Sequence, residues 1–78
     1  MIIRAQDVYE PLGFTTSWFS ARFHHLAKDY LEGGLNAVYE VSDLINECKA
    51  YTSNTKNPIQ KLHSEAMVRK TLQYLEKL

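Results

Sequence analysis

The chain has 78 residues, and its nine Lys and Arg balance nine Asp and Glu, so the formal charge is zero. A chain of this length buries only roughly 60% of its unfolded surface, which leaves too little core to enclose an enzyme-sized pocket as well and speaks against a self-contained catalyst. With 45% hydrophobic and 23% charged residues the composition is globular, neither disordered nor collagen-like.

In chain order, Ala5, Val8 and Leu12 fall three and four apart and predict a first short helix over Ala5–Leu12, strained at its end by Pro11. Gly13 reads as a turn. Thr15, Thr16 and Ser17 offer hydroxyl caps for a second helix from about Ser17 to Tyr30. Within it Phe19, Phe23, Leu26, Ala27 and Tyr30 make one apolar stripe. Gly33 and Gly34 permit a tight reversal, and the alternation of Ala37, Tyr39 and Val41 with Val38 and Glu40 predicts a strand over Ala37–Val41. Ile2 and Ile3 are its expected partner, giving a very small sheet. Ser42 is placed to cap a third helix whose apolar face is Leu44, Ile45, Cys48 and Tyr51, ending near Tyr51.

Residues 52–58 are polar and turn-prone and read as a linker. Pro58 suits the first turn of a fourth helix reaching Leu78. Its apolar residues form two stripes, Ile59, Leu62 and Ala66 on one side and Val68, Leu72, Leu75 and Leu78 on nearly the opposite one. Two readings follow. In the first, the helix docks on its own domain through the former stripe and joins another copy through Val68, Leu72, Leu75 and Leu78. In the second, it bends near Ser64 and buries both stripes in one subunit. The neutral total also hides an asymmetry, a charge of −3 over residues 1–51 and +3 over the remainder.

The order of helix, Gly13 turn, helix, glycine-containing hairpin, strand and Ser-Asp-Leu helix start resembles the winged helix-turn-helix of phage excisionases and AlpA-like regulators, related to the DNA-binding domain of MerR-type proteins. The resemblance is carried by Ala5, Asp7, Val8, Leu12, Gly13, Phe14, Thr15, Ser17 and Phe19, and by Val38 to Leu44. The expected fold is therefore mainly α with a small β-hairpin: a winged helix-turn-helix domain over 1–51, a linker over 52–58 and a C-terminal helix over 59–78. The resemblance implies double-stranded DNA as partner and a role as excision factor or transcriptional regulator.

In such a domain the second helix offers Thr15, Thr16, Ser17, Trp18, Ala21, Arg22 and His25 to base edges in the major groove, with Lys28 on a phosphate. Arg22 alone among them can contact guanine bidentately. Thr15, Thr16 and Ser17 read equally well as plain helix caps. A domain carrying −3 binds phosphate weakly as a single copy, so a cooperative oligomer joined through the last helix is expected. The rival reading is a protein-binding adaptor or inhibitor, for a host or phage partner, in which Trp18 is an interface anchor and Asp29, Glu32 and Glu40 meet a basic surface.

Other chemistry finds no support. Cys48, the single cysteine, cannot form an internal disulfide and reads as a small buried hydrophobe, which makes a reducing cytosol the default. No span reaches the roughly 18–20 apolar residues of a membrane helix, and the start MIIRAQDVYE lacks the hydrophobic segment of a signal peptide, so the chain is expected to be cytoplasmic and off the membrane. His24, His25, His63 and Cys48 lack metal-ligand spacing, and His24 and His25 point to different sides, one packed and one solvated. No phosphate-loop, dinucleotide or nucleophile motif is present, so no metal or cofactor is expected.

Overall fold

A computed structural model of the chain describes residues 1–28 and 37–78. Its elements in order are β1 (Ile2–Arg4), α1 (Gln6–Tyr9), α2 (Thr16–Phe23) continued by one 3-10 turn (His24–Leu26), β2 (Val38–Glu40), α3 (Val41–Ala50) and α4 (Pro58–Glu76). The fold is mainly helical with a two-stranded antiparallel sheet, as the sequence predicts. No described helix is long and apolar enough to cross a membrane. The expected end of the second helix at Asp29 and Tyr30, the Gly33-Gly34 reversal and Glu32 lie outside the described residues.

The sheet pairs Ile2 with Glu40, Ile3 with Tyr39 and Arg4 with Val38. Because side chains alternate along a strand, Ile3 and Tyr39 point together into the core while Ile2 and Arg4 stay outside. Backbone bonds from Ala5 N to Ala37 O (2.9 Å) and from Val41 N to Met1 O (2.9 Å) extend the ladder at both ends.

Regular α1 is shorter than Ala5–Leu12, and Pro11 is the reason. A residue at position 11 would donate its N–H to the Asp7 carbonyl, and proline has none to give. The Tyr74 hydroxyl of α4 donates to that carbonyl instead, at 3.0 Å. The chain then closes with Gly13 N to Glu10 O and Phe14 N to Tyr9 O, both 2.9 Å, the paired bonds of a glycine-terminated helix. Gly13 carries φ +73°, and nothing lies within 4 Å of where a Cβ would sit. Gly13→Ala should therefore cost about 1–2 kcal/mol through backbone conformation alone. A fall in melting temperature by roughly 4–8 °C per kcal/mol would register it, and Gly13→Asn should recover part of the loss.

Thr15 caps α2 by accepting the Trp18 N–H at 3.1 Å. The regular helix stops at Phe23, earlier than expected, because the chain must deliver Phe19, Phe23 and Ala27 to the core and then meet β2, where Lys28 N donates to Val38 O at 2.9 Å. The tighter 3-10 turn makes that redirection. His24 and His25 are both exposed there, so neither packs inward as expected. Helix α3 begins one residue before Ser42, which is exposed in the first turn and does not cap it, since Glu40 occupies the cap position and its carboxylate bonds the Met1 ammonium (2.7 Å), not the helix. Val41, Leu44 and Cys48 recur on the buried face of α3. Burial, with Glu47 adding to it, pushes the Cys48 thiol up to about 12, which keeps it protonated and unreactive.

Helix α4 is continuous, with Pro58 in its first turn and Asn57 Oδ1 accepting from Ile59 N (3.0 Å) and Gln60 N (3.3 Å). Its second half packs on α3 and α1 in the same core as the rest of the chain. Val68 is 4% and Leu75 2% exposed, Leu72 lies against the core, and Thr71 is buried with its hydroxyl bonded to Met67 O. The assignment of Val68, Leu72 and Leu75 to contacts between copies is thereby corrected: the stripe that covers Leu44 and Cys48 is the one with more large apolar side chains, which removes more area from water. Of the four, Leu78 is exposed, and the other stripe leaves Ile59 79% and Leu62 69% exposed.

Candidate nucleic-acid interface

The residues expected to face a ligand divide into three groups. Thr15, Ser17 and Ala21 are exposed along the first two turns of α2, directly after the Gly13 corner. Ser17 and Ala21, four apart, share one solvent-facing strip, whereas Thr15 is the cap residue before it, with its hydroxyl oxygen on Trp18 N.

A second group is held by the chain itself. The Thr16 hydroxyl donates to the Tyr9 hydroxyl at 3.0 Å, tying α2 to α1. Trp18 is half-buried, its ring 4.7 Å from that of Phe14 and 6.1 Å from that of Phe23. The Arg22 guanidinium lies over Trp18, 4.5 Å from the ring centroid, and its Nη1 donates to the Trp18 carbonyl at 3.0 Å. Trp18 Nε1 and Arg22 Nε are buried without a hydrogen-bond partner. Thr16 and Trp18 are thus corrected from ligand-facing to supporting positions. A tryptophan stacked between a phenylalanine and an arginine has little surface left to present.

The third group is neutralised. His25 Nε2 lies 3.1 Å from Glu47 Oε1, and Lys28 Nζ lies 3.3 Å from Asp43 Oδ2. These pairs are exposed and contribute little stability, but they place an acid of α3 beside each basic group at the far end of α2. Lys28 is therefore poorly suited to the phosphate contact expected of it.

Positive charge gathers instead at the near end, from residues of α4 that sequence reasoning did not single out. A cavity of about 340 Å³ beside the corner is lined by Gly13, Phe14, His63, Ala66, Met67 and Lys70. Leu12 and Lys70 line the next one along, with Gln73, Tyr74 and Lys77. The side of α4 that runs past the start of α2 thus carries His63, Lys70 and Lys77 and no carboxylate, while Glu65 lines a cavity with Cys48, Lys49 and Arg69 elsewhere on the helix. The recurrence of His63, Met67, Lys70 and Lys77 at helical spacing was the available signal. What it lacked was the register of α4 against Gly13.

Among the described residues no group of histidine, cysteine and carboxylate side chains could hold a metal ion. Comparison of the chain with protein-family models, with curated proteins and with solved structures finds no match.

Proposed function

We propose that the chain is a small DNA-binding domain of winged helix-turn-helix type, an excision factor or regulator of the kind the sequence resembles. In this reading α2 lies in the major groove with Ser17 and Ala21 toward base edges, and Lys70 and Arg22 meet flanking phosphates. The observation that carries the reading is the exposed strip of α2 set by the Gly13 corner, flanked by a side of α4 that bears His63, Lys70 and Lys77 without an acid. The strand β2, running directly into α3, supports it. Two phosphate contacts are few, so useful affinity requires neighbouring copies, and Ile59 and Leu62 are the exposed apolar residues near one end of α4.

Fluorescence anisotropy with a duplex drawn from the chain's own upstream region tests this. Two neutralised phosphates give a log–log salt slope of about −2, roughly a tenfold loss of affinity between about 50 and 200 mM salt. Lys70→Glu should lower affinity for all duplexes and reduce the slope by about 1, whereas Ser17→Ala should change the preference among sequences. Binding that ignores both salt and Lys70→Glu would overturn the reading. The pairing of His25 with Glu47 and Lys28 with Asp43 favours a second reading, a protein-binding adaptor, whose signature is salt-independent binding to a protein through the same face.

A further inference from the structure

The largest cavity described, about 490 Å³, opens between α2 and the start of α4. It is lined by Arg22, by Tyr51, Ser53 and Thr55 of the segment joining α3 to α4, and by four residues of the first turns of α4, Ile59, Gln60, His63 and Ser64. Seven of these eight side chains are polar, one is a fixed cation, and none is a carboxylate. The local sequence agrees, for no Asp or Glu occurs between Glu47 and Glu65, a run that holds Lys49, Lys56 and Lys61.

Internal hydrogen bonds decide what the lining has left to offer. Gln60 Oε1 accepts from the Thr55 hydroxyl at 3.2 Å, so the side-chain amide of Gln60 keeps its N–H groups as donors. Ser53 Oγ accepts from Thr55 N at 3.4 Å, which leaves the Ser53 hydroxyl hydrogen uncommitted. Arg22 is held over the Trp18 ring with Nη1 bound to the Trp18 carbonyl, and its buried Nε–H has no acceptor. A guanidinium positioned in advance with donors still unmet is suited to an oxyanion. Within the lining, Gln60 and Ser53 thus each accept a bond from Thr55 and keep donors for a ligand.

We infer that this cavity is a phosphate-binding site, anchored by Arg22 and completed by Ser53, Gln60, His63 and Ser64. Its volume, about 490 Å³, leaves room for a phosphate that carries a nucleoside. Two sources share that chemistry: a phosphodiester of a duplex lying along α2, and a free mononucleotide. The inference deepens the DNA-binding reading and rests on it for the choice of the duplex as occupant.

The test is an NMR titration of the full chain with inorganic phosphate, with thymidine monophosphate and with the duplex, following the side-chain Nε–H of Arg22, the side-chain amide of Gln60 and the amides of Ser53 and Ser64. The expected result is that thymidine monophosphate and the duplex both move these signals, inorganic phosphate more weakly, and that the duplex also moves Ser17 and Ala21. Ser53→Glu places a carboxylate among the donors at a loop position, so the fold should be unaffected by circular dichroism. It should weaken the nucleotide response about tenfold or more. A duplex that shifts Ser17 and Ala21 while the cavity signals stay still overturns this inference and leaves the DNA reading standing. A cavity that answers thymidine monophosphate while the duplex moves nothing supports the site and overturns the DNA reading. Silence toward all three probes, or an undiminished response in Ser53→Glu, removes the site.

Discussion

Phe19→Ala should unfold much of the population under mild denaturant, and it is the most damaging single truncation the fold offers. Phe19 is 1% exposed and touches aromatic rings on three sides: Phe23 at 4.9 Å, Tyr39 at 5.3 Å and Tyr9 at 6.0 Å between centroids. These rings belong to α1, α2 and β2, so Phe19 is where the elements around the Gly13 corner meet. Truncation of a buried phenylalanine costs about 3–5 kcal/mol, because the lost transfer free energy is joined by a cavity that the neighbours fill only partly. A domain of this size holds roughly 4–12 kcal/mol of stability in total. Urea denaturation followed by far-ultraviolet circular dichroism should show the midpoint falling by a large fraction of its value. An unchanged midpoint would mean that the ring cluster is not the core. Phe19→Leu, which keeps most of the volume, should lose much less.

Leu75→Ala is expected to cost about 2–5 kcal/mol while leaving the molar mass in solution unaltered. Leu75 is 2% exposed within the same cluster as Val8, Leu44 and Cys48, so its methyl groups are covered by its own chain. The contrast is with the other stripe of α4. Ile59→Ala combined with Leu62→Ala should stay within about 0.5 kcal/mol per site, because exposed side chains have little burial to lose. Denaturation and light scattering on the two variants separate the roles. If Leu75→Ala instead dissociated an assembly and left the monomer as stable as before, the packing of α4 on α3 would be wrong.

The elements near Gly13 were legible because local chemistry dictates them. A glycine with no side chain, a threonine whose hydroxyl can cap the turn that follows, and phenylalanines four apart leave few alternatives to a corner followed by a buried helix. The second strand was legible from the alternation around Tyr39, and the apolar pair Ile2 and Ile3 supplied its partner. The direction of α4 was not. Val68, Leu72 and Leu75 make the more apolar stripe, but whether it meets the chain's own α3 or a second copy depends on which face of α3 stands uncovered, a fact that lies some 20 residues away in sequence and that no local pattern encodes. The interface was misjudged where tertiary neighbours act. Thr16 looks free until Tyr9 is placed beside it, and Lys28 looks cationic until Asp43 is. His63 and Lys70, legible in sequence only as a histidine without metal spacing and as part of the basic tail, come to the corner because α4 lies across it.

The bond from Tyr74 to the Asp7 carbonyl joins residues 67 apart. Proline leaves that oxygen without its ordinary donor, so the stub of helix beneath α2 is finished by a side chain from the opposite end of the polypeptide. The tail is consequently a keystone and not an appendage: whatever lifts it away also strips an acceptor in the arch beneath α2, and the strength with which it is seated sets how rigidly α2 is held.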